Sequence, residues 1–68
     1  MQVRIDVFNI RGQRVRTLLD GSQEFGAGEH SIVWDGRDDR GNHVGSGVYF
    51  YQMRVGDFTQ ARRMLLLK

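Results

Sequence analysis

Apolar and polar residues alternate along most of this chain, with the period of two that is typical of half-buried β-strands. The predicted strands are residues 2–7, 13–19, 29–35, 48–55 and 58–68. No segment shows a convincing apolar period of 3.6 residues, and the nine glycines would penalise helices. The pattern therefore predicts an all-β fold, a small antiparallel β-sandwich with about five strands.

Turn residues set the expected pairing of the first two strands. A three-residue loop at residues 10–12, with Gly12 in the left-handed third position, places Val7 opposite Val15. A two-residue turn would place Val7 opposite Arg16 and split the apolar set between two faces. The full predicted register pairs Asn9 with Gln13, Val7 with Val15, Ile5 with Thr17 and Val3 with Leu19.

The last two strands are predicted to form a hairpin with a two-residue turn at Gly56-Asp57. The register sets Tyr51 opposite Arg62 and Phe50 opposite Arg63, as stacked aromatic–cation pairs. It also pairs Val55 with Phe58, Met53 with Gln60, Tyr49 with Met64 and Val48 with Leu65. In the third strand, 29–35, we expect His30, Ile32 and Trp34 to share one face.

Length and composition exclude several classes of protein. With 68 residues the chain is one domain, residues 1–68, whose core is small for independent stability. It has no cysteine for disulfides or structural zinc, and no apolar run of membrane-spanning length. The net charge of +2 comes from arginines spread along the chain rather than from a basic block. We therefore expect no nucleic-acid partner, although a binder of nucleic acid or acidic glycan remains a third alternative.

The stretch WDGRDDRGNHVGSGVYFY, residues 34–51, carries the densest candidate chemistry. Asp35, Asp38 and Asp39 could suggest calcium, but an EF-hand loop started at Asp35 has Arg40 where glycine is required and Ser46 where the bidentate acid is required. We therefore predict no metal site, and expect these carboxylates to cap backbone N–H groups in turns. The glycines Gly45 and Gly47 lead into a strand, unlike a phosphate-binding loop, which opens a helix.

Catalysis is not expected either. The candidate bases are His30 and His43, and the candidate nucleophiles are Ser22, Ser31 and Ser46. Such a set can be assembled from almost any sequence, and a domain this small is a poor host for a substrate pocket. We predict no enzyme activity, no catalytic residues and no cofactor. Trp34 and the aromatic run 49–51 could form a ligand platform, but core packing is the more ordinary role for them.

Taken together, three groups of residues resemble a known family. The first is Val3-x-Ile5-x-Val7-Phe8-Asn9 with Gly12-Gln13 and Val15-Arg16-Thr17-Leu18; the second is Ala27-Gly28-x-His30 with Trp34-Asp35-Gly36-Arg37-Asp38; the third is Gly41-Asn42-x-Val44-x-Ser46-Gly47-Val48-Tyr49-Phe50-Tyr51 with the closing apolar strand. This set resembles the immunoglobulin-like C-terminal domain shared by flagellar hook-capping proteins and type IX secretion sorting domains. Its structural signature here would be Gly12, Trp34, Asp35, Gly36, Asp38, Gly41, Asn42, Gly47 and Tyr49.

The resemblance implies a non-enzymatic sorting and surface-attachment module of a secreted bacterial protein, found outside the cell or on its surface as part of a larger precursor. The alternative that it implies is an assembly domain of the hook-cap type. Recognition of protein partners would fall on the last strand, at Arg62, Arg63, Met64, Leu65, Leu66, Leu67 and Lys68.

The resemblance also implies a departure, since family members carry two further strands upstream of the segment that begins here. The chain then looks like an excised or redesigned part of the domain. Missing strands would uncover apolar surface and a strand edge, so we expect a homo-oligomer, for example a homodimer formed by strand pairing or exchange.

Overall fold

The structure, a computed structural model, describes residues 2–24 and 32–67, with the side chains of residues 23 and 24 excepted. Four strands are present in this part of the chain. They are β1 (Gln2–Phe8), β2 (Arg14–Glu24), β3 (Gly47–Val55) and β4 (Phe58–Leu66). None of the described residues forms a helix of the length and apolarity needed to cross a bilayer.

The strands form one antiparallel sheet in the order β2-β1-β3-β4. The all-β antiparallel prediction is confirmed, and the sheet is consistent with a fragment of a small immunoglobulin-like sandwich. Sequence-adjacent strands pair at both hairpins, while β1 and β3 pair across the long connection at residues 25–46. The two central strands, β1 and β3, therefore hold the fold together.

The hairpin of β3 and β4 has the predicted register throughout. Val55 lies opposite Phe58, and the pairing continues to Gly47 opposite Leu66. Gly56 has φ 58°, and Asp57 keeps a negative φ, the pattern of a type II′ turn, whose first central residue is glycine. The two Arg–aromatic pairs are therefore opposite each other as predicted; their stacking stays a prediction.

The loop between β1 and β2 is also as predicted, but the register beyond it is wrong. The Asn9 N–H donates to the Gln13 carbonyl at 3.0 Å, and Gly12 has φ 78°. After this point bulges shift the pairing, so that Val7 lies opposite Arg16 and not opposite Val15. The other predicted pairs shift too: Ile5 lies opposite Leu19, and Thr17 lies opposite Asp6.

A buried carboxylate explains the shift. Asp6 is 7% exposed, and an unpaired charge at such a position would be costly. The Thr17 hydroxyl donates to Asp6 Oδ1 at 2.7 Å, and the Arg4 Nε donates to Asp6 Oδ2 at 2.9 Å. The bulges bring Thr17 opposite Asp6, so hydrogen bonding to the carboxylate overrides strict apolar alternation.

The two faces of the sheet differ. On one, here called the covered face, Ile5, Val7 and Tyr49 are buried, and Val7 is 0% exposed. Ile32 and Trp34 lie against this face and border an apolar groove of about 290 Å³, whose other lining residues are Ile5, Leu18, Tyr51, Met53 and Met64. The opposite face, here called the reverse face, carries Arg4, Asp6, Phe8, Val48, Phe50 and Leu65 by strand alternation.

The predicted third strand is wrong over the residues that can be compared. Residues 32–35 are not in a strand, and residues 29–31, with His30 and Ser31, lie outside the described residues. Ile32 and Trp34 both line the covered-face groove, while Val33 is 85% exposed, so the alternation itself is present. The Trp34 indole N–H donates to the Arg37 carbonyl at 2.9 Å, which folds the chain back on itself where a strand would continue.

Candidate functional site

Residues 35–44, here called the acidic loop, form a compact hairpin-like turn. Its backbone is closed by a bond from the Val44 N–H to the Gly36 carbonyl and another from Asp38 N–H to the Asn42 carbonyl, both 2.9 Å long. The Gly41 N–H donates to the Asp38 carbonyl at 3.0 Å, and Gly41 has φ 85°. The loop is therefore organised by its own backbone.

Two of its carboxylates cap this turn from within. Asp35 Oδ1 accepts from the Arg37 N–H at 3.1 Å. Asp38 Oδ1 accepts from the N–H groups of Arg40 and Asn42, each at 3.0 Å. The predicted capping role of these side chains is confirmed.

The third carboxylate, Asp39, was also predicted to cap the turn, but it binds the sheet instead. Asp39 Oδ1 accepts from the Thr17 N–H at 2.9 Å, and the Asp39 N–H donates to the Val15 carbonyl at 3.1 Å. Both partners are backbone groups on the outer side of β2. Asp39 thus occupies part of the edge of the sheet, as a short strand would.

The side chain of Arg16 is a further link between β2 and the acidic loop. Its Nη1 lies 3.3 Å from the Arg37 carbonyl, 3.4 Å from the Asp38 carbonyl and 3.6 Å from Asp35 Oδ1. One guanidinium therefore contacts two loop carbonyls and one loop carboxylate. Sequence reasoning missed this contact, because nothing in the spacing distinguishes Arg16 from the other arginines.

The two ends of the loop region are held by aromatic residues. The rings of Trp34 and Tyr49 meet edge to face, with centroids 5.0 Å apart and an interplanar angle of 71°. The Tyr49 hydroxyl donates to the Gly45 carbonyl at 2.7 Å. This arrangement is a packing contact at the entrance to β3, in line with a structural role for both aromatic residues.

The carboxylates of this loop bind its backbone and that of β2. Each of the three carboxylates has an oxygen bonded to backbone N–H, and among residues 2–24 and 32–67 no three His, Asp or Glu side chains converge as metal ligands would.

Two residues considered as candidate base and nucleophile can be placed. His43 is exposed and forms a backbone bridge with Arg37. Ser22 donates from both its hydroxyl and its N–H to Asp20 Oδ1 on β2, and these bonds hold the pKa of Asp20 below its usual range.

The residues predicted to carry recognition lie on and after β4. Arg62, Arg63, Leu65 and Leu67 are exposed, and Met64 and Leu66 are half-buried, while Lys68 lies outside the described residues. Leu65 is 63% exposed, and Val48 and Phe50 are each 38% exposed on the same face. Phe8 and Ile10 line an adjoining groove with Phe50. The apolar area formed by these five residues is here called the reverse-face patch: Phe8, Ile10, Val48, Phe50 and Leu65. The sequence did not indicate the position of this patch.

The predicted structural signature lies mostly in and around the acidic loop. Gly12 lies in the loop between β1 and β2; the others are Trp34, Asp35, Gly36, Asp38, Gly41, Asn42, Gly47 and Tyr49, between the start of the loop region and the start of β3.

Comparison with known proteins adds one finding. A family model described as the FlgD Ig-like domain matches residues 1–57, which include β1, β2, β3 and the acidic loop. No curated protein and no solved structure matches the chain. The matched segment ends at Asp57, in the turn before β4.

Proposed function

Because the chain belongs to the FlgD Ig-like domain family, we propose that it acts as a non-enzymatic assembly module of the flagellar hook-cap type. The match over residues 1–57 carries this proposal, since it includes three strands and the whole acidic loop. The family is a structural one without enzymatic activity. The proposed work of the domain is to present a rigid surface to other protein subunits.

The contacts of the acidic loop support a structural role. Asp35 and Asp38 cap the turn, and Asp39 binds the β2 edge, so the carboxylates most able to act chemically serve the fold. Among the described residues, those exposed to a partner include β4, the last strand in the sheet order, and the reverse-face patch. Backbone edges and exposed apolar side chains are the usual means of contact between protein subunits.

The export and surface-attachment role expected from the resemblance to type IX sorting domains is the second candidate. The exposed apolar side chains of Leu65 and Leu67 near the end of β4 are the observation that favours it. The family match supports the hook-cap role better, and we therefore place assembly first. On either reading the proposed partners are proteins, and the proposed location is outside the cell or at its surface, as part of a larger precursor.

A domain exchange tests the assembly role. The immunoglobulin-like domain of a hook-capping protein is replaced by residues 1–68, and hook length and swimming are measured in the corresponding deletion strain. We expect the chimera to restore hooks, and an unrelated immunoglobulin-like domain in the same place to restore none. Stable chimeric protein with no hooks would contradict the assembly role.

A secretion assay tests the sorting role separately. A reporter enzyme is fused in front of residues 1–68 in a bacterium with type IX secretion, and a matched fusion lacks residues 64–68. The sorting role predicts reporter on the cell surface only with the intact fusion. Equal export of both fusions, or of neither, would count against that role.

A further inference from the structure

The two edges of the described sheet differ in how their backbone groups are used. On β2, the Val15 carbonyl and the Thr17 N–H are both bonded to Asp39, so this part of the edge is occupied. β4 is the last strand in the order and pairs only with β3 among the described strands. An open strand edge is a template for pairing with another strand.

The turn at Gly56-Asp57 determines which residues of β4 face that open side. In a two-residue turn the flanking pair, Val55 and Phe58, is hydrogen-bonded, and bonded pairs then alternate with non-bonded ones. Phe58, Gln60, Arg62 and Met64 therefore bond to β3. The residues that direct N–H and C=O away from β3 are Thr59, Ala61, Arg63 and Leu65.

Leu65 belongs both to this edge and to the reverse-face patch. Its backbone faces the open side, while its side chain, 63% exposed, lies opposite Val48 on the reverse face. A strand pairing at Leu65 would bring the apolar patches of two molecules side by side. We propose that β4 pairs antiparallel with β4 of a second copy of this chain, about a two-fold axis at Leu65.

Burial of apolar side chains favours this register over those centred on the arginines. β4 contains Arg62 and Arg63 and no acidic residue, so axes at either of those positions would set arginine opposite arginine, which is destabilising. Axes nearer Phe58 would pair polar residues and leave the two Leu65 side chains far apart. An axis at Leu65 pairs Leu65 with Leu65 and Met64 with Leu66, and it places Arg63 opposite Leu67. The same register sets Arg62 opposite Lys68, a position past the end of β4 at Leu66.

The proposal deepens the assembly role, on which it rests, by naming a second copy of the chain as one partner. β4 lies outside residues 1–57, the segment that the family model matches. The pairing is therefore inferred from the contacts and exposure of β4 itself and is not carried over from the family.

Cysteine cross-linking tests the register. The chain has no cysteine, so a single introduced thiol can join only to its copy. In the proposed dimer the two Leu65 Cα atoms form a bonded pair about 5.5 Å apart, within disulfide range. We expect Leu65→Cys to form a disulfide dimer under mild oxidation. Thr59→Cys, at the other end of the same open edge, is the matched control and should cross-link much more slowly.

Sedimentation of the purified 68-residue chain tests the association itself. We expect a dimer at micromolar concentration, and Leu65→Lys should weaken it by at least about tenfold, since it sets two ammonium groups opposite each other. Val33→Lys, at a position that is 85% exposed and lies away from β4, should leave the dimer intact. Circular dichroism confirms that each variant is folded.

A monomeric wild-type chain, or equal cross-linking of Leu65→Cys and Thr59→Cys, would overturn the proposal. These outcomes are distinct from failure of the assembly role. A monomer whose chimera still restores hooks removes only the β4 pairing, whereas a dimer whose chimera restores none removes only the hook-cap role.

Discussion

The Oδ1 of Asp39 accepts a hydrogen bond from the backbone N–H of Thr17 at 2.9 Å. This contact joins the acidic loop to an edge of the sheet across 22 residues of sequence. The Asp39 carboxylate thus serves as an acceptor for a backbone N–H on the outer side of β2. The same relationship explains why β2 and β4 present different edges to solvent.

Asp39→Ala should expose the β2 edge. We expect a loss of about 1 kcal/mol in the free energy of unfolding, because the Thr17 N–H loses its acceptor. The loss should come with faster hydrogen exchange at the Thr17 amide. Asp39→Asn keeps an acceptor oxygen and is the matched control. Equal exchange in wild type and Asp39→Ala would show that the contact does not persist in solution.

Thr17→Val should destabilise the sheet more strongly. It leaves the buried Asp6 carboxylate without the hydroxyl that lies 2.7 Å from Oδ1, at an expected cost of about 1–3 kcal/mol in urea unfolding. Thr59→Val makes the same chemical change at an exposed position on β4 and should have little effect. Similar values for the two variants would refute the explanation offered for the β1–β2 register.

Comparing Gly41→Ala with Gly45→Ala tests whether the backbone conformation of Gly41, rather than the space around it, requires glycine. A Cβ at either position would meet no atom within 4 Å, but only Gly41 has a positive φ, of 85°. Alanine in the left-handed region costs about 1–2 kcal/mol, so Gly41→Ala should lower the free energy of unfolding by about that amount. Gly45→Ala should be neutral or slightly stabilising. Equal destabilisation by both changes would argue against the turn described for this loop.

Tyr49→Phe removes only the hydroxyl that donates to the Gly45 carbonyl at 2.7 Å. We expect a loss of about 0.5–1.5 kcal/mol in thermal or urea unfolding. Tyr51→Phe, two positions along the same face, is the matched control. A larger effect at Tyr51 than at Tyr49 would contradict the role given to Tyr49 in holding the loop.

Acid should remove a small part of the stability through Asp20. In the folded chain, the bonds from Ser22 lower the pKa of this carboxyl below its ordinary value of 3.8. A lowered folded pKa gives a contribution that is present above pH 3.8 and is lost as the pH falls through the folded value. Ser22→Ala should reduce this dependence in unfolding curves measured across that range. An unchanged pH profile in Ser22→Ala would show that the bond does not hold the carboxylate.

The sequence predicted local structure well where turn chemistry decides it. The Gly56-Asp57 turn leaves one register for β3 and β4, and Gly12 fixes the loop after β1. The register of β1 and β2 was wrong because a buried polar bond, Thr17 to Asp6, outweighs apolar alternation. Such a bond depends on burial of Asp6, which a pattern of alternating residues does not report.

The contacts of the acidic loop also divide into local ones, which the sequence predicts, and long-range ones, which it does not. Capping by Asp35 and Asp38 is local, within four residues, and follows from composition. The contacts of Arg16 with the loop and of Asp39 with β2 join positions about twenty residues apart, and no spacing rule indicates them. The predicted strand 29–35 was wrong at residues 32–35 because the Trp34 indole bonds to the Arg37 carbonyl and turns the chain.

The most direct measurement of the central claim is thermal unfolding of wild type and Asp38→Asn, each with and without millimolar calcium. The claim is that the acidic loop is a structural turn, whose carboxylates hold backbone N–H groups. Asparagine keeps the Oδ1 acceptor for Arg40 and Asn42 but removes the charge that a cation requires. The account predicts similar melting temperatures for both proteins and no effect of calcium on either. A rise in melting temperature with calcium in wild type, absent in Asp38→Asn, would contradict it.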